Sequence, residues 1–175
     1  MIGFTQMEAA IYLPAWDQGL KLHRHILNAR LQLAGLFLTA YLGGGTAGLL
    51  SQGGYLAFGL LGWNNLRIFG GGGGINYWQE PTFGYLLGFL PAAYLAGSVA
   101  FSRPRSLENF IWSGTLALVV VHLMGMGYLV LRFWQQLPLL GSYCFKYTIA
   151  LLPAHFAILC SCSLVAYSMR LLLLY

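Results

Sequence analysis

Charged residues are scarce in this sequence. Of its 175 residues only 7% are charged, with four acidic residues and nine lysines and arginines, whereas 58% are hydrophobic. Because soluble domains carry about 25% charged residues, a chain of this composition cannot cover a water-facing surface, which excludes a soluble enzyme. The cations are scattered singly and form no basic face, which argues against nucleic-acid binding. The composition therefore predicts one integral membrane domain over residues 1–175, with the lipid bilayer as its solvent.

Sequence motifs for redox, metal or nucleotide chemistry are also missing. The three cysteines, Cys144, Cys160 and Cys162, have no CxxC spacing, and we interpret them as small apolar helix residues. The five glycines at 70–74 are not followed by Lys-Ser or Lys-Thr, so they do not form a phosphate-binding loop. The four acids lie far apart, which leaves no carboxylate pair for catalysis. The sequence thus predicts no catalytic residue, no metal and no cofactor, and any energy from ATP comes from a partner protein.

Uncharged stretches define the predicted helices. The stretches 81–102, 109–131 and 147–169 each match the roughly 20 apolar residues of a membrane span. A fourth stretch, 31–66, is too long for one span and breaks at Gly43-Gly44-Gly45, where glycine tolerates a tight turn. We therefore predict five spans, the first two short and packed antiparallel. They cover about 31–43, 46–62, 82–101, 108–133 and 146–174.

Residues 1–30 differ from the rest of the chain in being mixed and polar. They include Pro14, Asp17, Lys21 and Arg24, and they have no apolar core typical of a signal peptide. The sequence predicts a polar loop or an interfacial segment here. By the count of lysines and arginines alone, the N-terminus would lie in the cytoplasm.

The loop at about 63–81 is the most unusual segment. A flexible connector is the simplest interpretation of its glycine run. However, the glycines are followed by Asn76, Tyr77 and Trp78, and amides and flat rings are the groups that bind small ligands. Pro81 suits the first turn of the next helix, whose N-terminal amides attract anions. The loop is therefore predicted to be a glycine lid over a polar rim.

The histidines are the other candidates for chemistry. His23 and His25 lie in the polar segment, where a solvated or headgroup-facing role is the simpler interpretation. His122 lies in the middle of a predicted span, and an interhelical hydrogen bond accounts for it. His155 follows Pro153, which loosens the helix and frees backbone groups. Because an ionisable residue at membrane depth is a candidate for a functional site, contact of His155 with a ligand and burial between helices both stay open.

Small residues recur at a spacing of four residues. In lipid, this spacing lets helix backbones approach closely, either within the bundle or against a partner, and the sequence leaves both open. The pairs are Gly44/Gly48, Gly84/Gly88 and Ala92/Ala96.

Two segments of the sequence resemble a known family. They are YLGGGTAGLLSQGGYLAFGLLGW at 41–63 and PTFGYLLGFLPAAYLAG at 81–97, with the glycine-rich loop between them. They resemble the BioY family, the biotin-specific substrate-binding (S) components of energy-coupling factor (ECF) transporters, and look closest to its cyanobacterial members. The PT-x-GYLxGF stretch at 81–89 is the most specific part, and the resemblance covers about residues 30–175.

The resemblance implies a fold and a set of partners. It implies an all-α bundle of the ECF S-component type, multi-pass in the plasma (inner) membrane, that binds biotin from outside. The S component then docks on a membrane coupling subunit and two ABC-type ATPases, which drive vitamin uptake. The family has six helices and we count five, so the first is expected to be missing or to precede Met1. With that helix restored, residues 1–30 would lie outside, and Arg103 and Arg105 inside.

The resemblance also implies site residues and alternatives. By transfer from the family to the matching positions of this sequence, the predicted pocket residues are Asn76, Thr82, Tyr85 and His155. The predicted lid residues are Gly71, Gly72, Gly73 and Gly74. The chain departs from the family where Ala154 and His155 replace an acidic residue and where Ile158 replaces a lysine. A usual partner for a carboxylate is therefore missing, and His155, Lys146, Arg67 or helix-end amides could replace it. The alternatives are an S component for another vitamin or small acid and a non-transporting structural membrane subunit.

Overall fold

A two-stranded hairpin precedes the helices. The computed structural model describes residues 6–15, 21–61, 68–69 and 73–173, with side chains from residue 31 onward. Strand β1 (Gln6–Ala15) pairs antiparallel with β2 (Lys21–Arg30). Within the predicted polar loop or interfacial segment, the structure therefore has a hairpin over these ranges. The sequence did not predict it because the apolar residues run together at Ala9, Ala10 and Ile11 and do not alternate as on a half-buried strand.

From Gln32 onward, every regular element that the structure describes is helical. Four segments of this region are long and apolar enough to cross a membrane, which confirms the helical membrane fold class. They are Gln32–Leu61, Phe83–Ser102, Leu107–Phe133 and Leu137–Leu172. The helices are α1 (Gln32–Leu61), α2 (Phe83–Ser102), α3 (Leu107–Phe133), α4 (Leu137–Tyr147) and α5 (Leu152–Leu172), with short 3-10 helices at Ile75–Gln79 and Ile149–Leu151.

Helix α1 reverses direction at Gly44. This residue has φ 84° and ψ 179°, outside the helical region, and divides α1 into the arms 32–43 and 45–61. A Cβ placed on Gly48 would lie 3.1 Å from the Cα of Ala40, although residues eight apart along one continuous helix are separated by about 12 Å. The two arms therefore pack side by side in opposite directions. The positive φ is available to Gly44 because glycine has no Cβ.

The C-terminal helices begin and end differently from the prediction. The segment 133–146 was expected to be a loop and 146–174 a single span, but α4 covers Leu137–Tyr147 and α5 begins at Leu152. Pro138 and Pro153 each lie in a first helical turn, where the missing N–H of proline costs nothing. Leu140, Tyr143, Cys144 and Tyr147 of α4 pack against the core. Their spacing of three and four residues is typical of one face of a helix. This spacing could have predicted α4, but a division of the chain at its charged residues did not use it.

Contacts between helix ends define the two ends of the bundle. At one end, the Gly44 turn lies against Gly97 and Phe101 of α2. There Arg170 of α5 donates to the carbonyl of Ala100 at 3.3 Å and lies 4.0 Å from the centre of the Phe101 ring. We name it the arginine end, because Arg103, Arg105 and Arg170 lie there. At the opposite end, which we name the cavity end, the beginnings of α1, α2 and α5 meet beneath residues 73–82.

Small residues allow the helices to pack closely within the bundle. A Cβ on Gly88 of α2 would lie 3.0 Å from the Cα of Val121 of α3, and one on Gly84 would overlap the side chain of Tyr128. Ala92, Ala93 and Ala96 of α2 are fully buried. The four-residue repeats therefore serve, at least in part, to bring α1, α2 and α3 together, as glycine and alanine do in lipid.

Candidate functional site

A cavity of about 50 Å³ lies at the cavity end, beneath the residues that join the 3-10 helix Ile75–Gln79 to α2. All five helices contribute to its walls, and these walls are mostly apolar and aromatic with a few polar groups, a typical composition for a small-molecule site. The described residues that line it are Gln32, Leu33, Tyr77, Thr82, Tyr85, Leu86, Phe89, Val121, Tyr147, Leu151 and His155.

Tyr85 joins three helices around the cavity. Its hydroxyl lies 2.8 Å from the hydroxyl of Thr148, just after α4. Its ring is edge-on to His122 of α3, with ring centres 5.9 Å apart, and 6.4 Å from the ring of Tyr147. Tyr85 is only 8% exposed, and edge-on aromatic contacts stabilise a buried ring beyond the burial of its area. The side chain is therefore held in place as a wall of the cavity.

Tyr77 brings the loop into the site. It lies in the 3-10 helix, is 5% exposed, and its hydroxyl is 3.1 Å from that of Thr82. Its ring packs on Phe69 with ring centres 4.6 Å apart. The neighbouring Asn76 is exposed and is not among the residues that line the cavity. The polar loop residue that faces the cavity is thus Tyr77, one position after the predicted Asn76.

Several contacts attach the loop to the bundle. The amide of Gly74, which has φ 93°, donates to the carbonyl of Gly59 at 2.8 Å. Phe69 is 1% exposed and fills the space left by the missing side chain of Gly59. The hydroxyl of Tyr128 in α3 donates to the carbonyl of Trp78. Of the predicted lid glycines, Gly73 and Gly74 are described, whereas Gly71 and Gly72 lie outside the described residues.

Replacing Phe69 with alanine is expected to loosen the loop. Truncating a buried phenylalanine costs about 3–5 kcal/mol, and here the loss falls on the segment that covers the cavity. Hydrogen exchange of the amides from Gly74 to Glu80 should become at least tenfold faster. Phe58→Ala is the control, because Phe58 is 61% exposed on α1 and its loss should leave this exchange unchanged. Equal exchange in both variants would show that Phe69 does not anchor the loop.

Two histidines meet beside the cavity. Nδ1 of His155 in α5 lies 3.2 Å from Nε2 of His122 in α3, and the rings are stacked with centres 5.3 Å apart. The exposed fractions are 7% for His155 and 6% for His122. The interhelical hydrogen bond predicted for His122 is confirmed, and its partner is the other histidine singled out from the sequence. His155 is buried between helices and also lines the cavity, so its contact with a ligand stays a prediction.

Charge is absent from the described walls of the cavity. None of those lining residues is a lysine, arginine, aspartate or glutamate. Lys146 is exposed, with its amine 5.3 Å from the centre of the Tyr147 ring. Arg67, another predicted replacement for the missing cation, lies outside the described residues. Within the described part of the chain, no three histidines, cysteines or acids lie close enough together to hold a metal ion.

Three of the four predicted pocket residues line one cavity. Thr82, Tyr85 and His155 come from the start of α2 and the start of α5, and the fold brings these segments together. The sequence-based prediction missed Tyr147 and Leu151 because it placed a loop where α4 is. The three- and four-residue spacing that ends at Tyr147 is the pattern that could have predicted the face of α4 that packs on the core.

Comparison with known proteins agrees with this arrangement. The family model described as "BioY family" matches residues 20–172, which is most of the chain. The chain belongs to the BioY family. The family resemblance found in the sequence is thereby confirmed.

Individual relatives match the chain over different shares of its length. The chain is 36% identical over 119 residues to a "Probable biotin transporter BioY" of Lysinibacillus sphaericus, covering 66% of this chain and 59% of that protein. The chain thus matches somewhat less than two thirds of that relative's length. It is also 27% identical over 180 residues to an uncharacterized 21.2 kDa protein of Cyanophora paradoxa, covering 98% of this chain and 93% of the relative.

A solved structure has the same fold. It is the crystal structure of the S-component for biotin from an ECF-type ABC transporter. The TM-score is 0.68 at 19% sequence identity, and the match covers 97% of this chain and 82% of the other. The bundle is therefore of the S-component type, as the sequence predicted.

Proposed function

We propose that this chain is the substrate-binding membrane subunit of a vitamin uptake transporter and that its ligand is biotin. The observation that carries the proposal is the cavity beneath the loop, walled by Tyr77, Tyr85, Tyr147 and His155. Support comes from membership of the BioY family, from the relative named as a probable biotin transporter, and from the fold shared with an S-component for biotin. Such proteins are transporter subunits, and the chain is accordingly not an enzyme.

The chemistry of the cavity suits biotin. Biotin has a compact bicyclic body, a ureido group that both donates and accepts hydrogen bonds, and a carboxylate. The three tyrosine rings offer flat apolar faces for the bicyclic body. The hydroxyl of Thr82 and the imidazole of His155 are polar groups that also line the cavity and can pair with the ureido group or the carboxylate. No cofactor is needed, since biotin is transported and not consumed.

Uptake requires partners. The sequence has no nucleotide-binding motif, so the energy for inward release comes from a membrane coupling subunit and two ABC-type ATPases. We place the protein in the plasma membrane with the cavity end outside. Arg103, Arg105 and Arg170 then lie at the cytoplasmic end, as the positive-inside rule favours. The lipid bilayer surrounds the bundle.

We also propose five membrane crossings. The arm 32–43 runs from the cavity, where Leu33 lies, to the turn at Gly44 beside Phe101. The arm 45–61 returns to Gly59, which contacts Phe69 of the covering loop. Each arm therefore extends over much of the height that α2 covers between Tyr85 and Phe101, and α1 crosses twice. Together with α2, α3 and the Leu137–Leu172 segment, this makes five.

A second candidate is an S component for another vitamin or small acid. The absence of any lysine or arginine among the described lining residues favours it, since biotin carries a carboxylate. Ile158, which stands where the family resemblance predicts a lysine, is buried at 8% exposure and has no charge to pair with a carboxylate. The other alternative, a non-transporting structural subunit, predicts no cavity beneath the loop and is therefore disfavoured.

Equilibrium binding tests the ligand. Purified protein in detergent should bind labelled biotin with a Kd below about 1 μM, corresponding to roughly 8 kcal/mol. Unlabelled biotin should displace the label, and a panel of other water-soluble vitamins should not. A Kd well above this range for biotin, with displacement by another vitamin, would transfer the assignment to the second candidate. Failure to bind any member of the panel would contradict both.

The loop residue that contacts the ligand can be identified by paired substitutions. Tyr77→Ala is expected to weaken biotin binding by about 1–3 kcal/mol, because it removes an aromatic wall and leaves the hydroxyl of Thr82 without its partner. Asn76→Ala, one residue away and exposed, is expected to change the affinity by less than about 0.5 kcal/mol. Isothermal titration calorimetry measures both. A larger effect at Asn76 would restore it as the pocket residue.

A further inference from the structure

The mouth of the cavity is defined by the lining residues that keep partial exposure. They are Gln32, Thr82, Tyr147 and Leu151, whereas the other described lining residues are buried. Tyr147 ends α4, and Leu151 ends the short 3-10 helix that follows it. A ligand group placed at the mouth therefore keeps some contact with water, and a group placed deeper in the cavity does not.

An acidic ligand has one group that the interior of the cavity does not suit. Moving a carboxylate from water into apolar surroundings without a partner costs far more free energy than moving a neutral amide or ureido group. The described residues that line the cavity include no lysine or arginine. The least costly arrangement therefore places a neutral ring body inside and leaves the carboxylate at the mouth, where a nearby cation can pair with it.

Two cations lie at the cavity end among the side chains that the structure describes. They are Arg132 in the last turn of α3 and Lys146 in the last turn of α4. The amine of Lys146 is 5.3 Å from the ring centre of Tyr147, a mouth residue. The guanidinium carbon of Arg132 is also 5.3 Å from a ring centre, but this ring belongs to Trp78, which is not among the residues that line the cavity. Of the two, Lys146 is thus the cation beside the mouth.

We propose that Lys146 binds the carboxylate of the ligand at the mouth of the cavity and thereby selects ligands with an acidic end. The ammonium group of lysine is a compact charge on a flexible stem, so it can turn from the Tyr147 ring toward a bound carboxylate. Lys146 supplies from α4 the charge that Ile158 of α5 lacks. For biotin, this places the bicyclic body inside and the carboxylate at the mouth. In naming biotin, the inference rests on the proposed function.

A comparison of an acid with its amide tests this role. Biotin and biotinamide share the bicyclic body and the chain, but only biotin carries a negative charge. We expect the wild-type protein in detergent to bind biotin about tenfold more tightly than biotinamide, a factor between those of an exposed ion pair and a buried charged hydrogen bond. In Lys146→Ala, biotin should lose this advantage and biotinamide should keep its wild-type affinity. Calorimetry with both ligands on both proteins measures the coupling.

Further variants separate the charge of Lys146 from its place on α4. Lys146→Arg keeps the charge and should bind biotin within about threefold of wild type. Arg132→Ala is the matched control, because it also removes a cation from the last turn of a helix beside an aromatic ring at the cavity end. It should keep the preference for biotin over biotinamide. Arg67→Ala extends the comparison to the other cation predicted from the sequence, and it should keep the preference too.

The outcomes distinguish this inference from the proposed function. Equal loss of affinity for biotin and biotinamide in Lys146→Ala would show that Lys146 shapes the site without contacting the carboxylate, and would overturn the inference. The inference would also be overturned by a wild-type protein without the preference, by a preference that persists in Lys146→Ala, or by one that disappears in Arg132→Ala or Arg67→Ala. All of these results leave the proposed function standing, because the wild-type protein still binds biotin. A wild-type protein that binds neither ligand would contradict the proposed function and the inference together.

Discussion

Replacing Gly125 with leucine is expected to lower the affinity for biotin about 100-fold, or roughly 2.7 kcal/mol. A Cβ at this position of α3 would overlap the ring of Tyr85, which is held by Thr148 and His122. The ring would have to move, because overpacking in a buried site is relieved by shifting the neighbouring side chain. Either the cavity then fills or the Tyr85–Thr148 hydrogen bond breaks. Calorimetry with biotin measures the effect on the fraction that elutes as a single species.

Gly127 provides a matched control two residues further along α3. It is exposed, and a Cβ there would meet nothing within 4 Å. Gly127→Leu should therefore bind biotin as the wild-type protein does. If Gly125→Leu folds and binds biotin equally well, Tyr85 is not a wall of the binding site. The smaller change Gly125→Ala is expected to lie between the two.

Replacing Gly97 with alanine should destabilise the fold by about 2–3 kcal/mol. A Cβ on Gly97 would overlap the backbone of Gly44 and Gly45, where α1 reverses. Backbone atoms cannot move aside by changing a rotamer, so α1 and α2 must separate. Thermal or denaturant unfolding of the detergent-solubilised protein measures the change.

The sign of the change in stability is informative, because replacing glycine with alanine in a helix usually stabilises the protein. Alanine in place of glycine within an exposed helix stabilises by about 0.5–1 kcal/mol, and Gly127→Ala should show this gain. A Gly97→Ala protein as stable as Gly127→Ala would contradict the close packing of the Gly44 turn on α2. The reversal of α1 would then need another explanation.

Much of the helical fold could be predicted because a helix that crosses lipid must be long, apolar and almost free of charged residues. Uncharged stretches mark α2, α3 and most of α5, and the glycines at 43–45 mark the reversal in α1. The hairpin and α4 could not be found in this way. The hairpin pairs β1 with β2, but the apolar residues of β1 run together and do not alternate, so the strand pattern is missing from the sequence. Helix α4 contains Lys146 and follows a polar turn, so a search based on charge assigned it to a loop.

The site was predictable where a motif or an unusual residue indicated it. Thr82 and Tyr85 belong to the PTFGYLLGF stretch, and His155 follows the proline of α5. The choice between Asn76 and Tyr77 could not be made from the sequence, because the 3-10 turn decides which of two adjacent side chains faces inward. Likewise, His122 and His155 are 33 residues apart on different helices, so their pairing follows only from the way α3 packs on α5.

A structure determined with biotin bound tests the central claim most directly. We expect the bicyclic ring of biotin to lie among Tyr77, Tyr85 and Tyr147, in contact with the ring of His155. Residues 73–82 should cover it. Biotin found at another place on the bundle, or in this cavity without contact to Tyr85 and His155, would contradict the site that we derive from the fold.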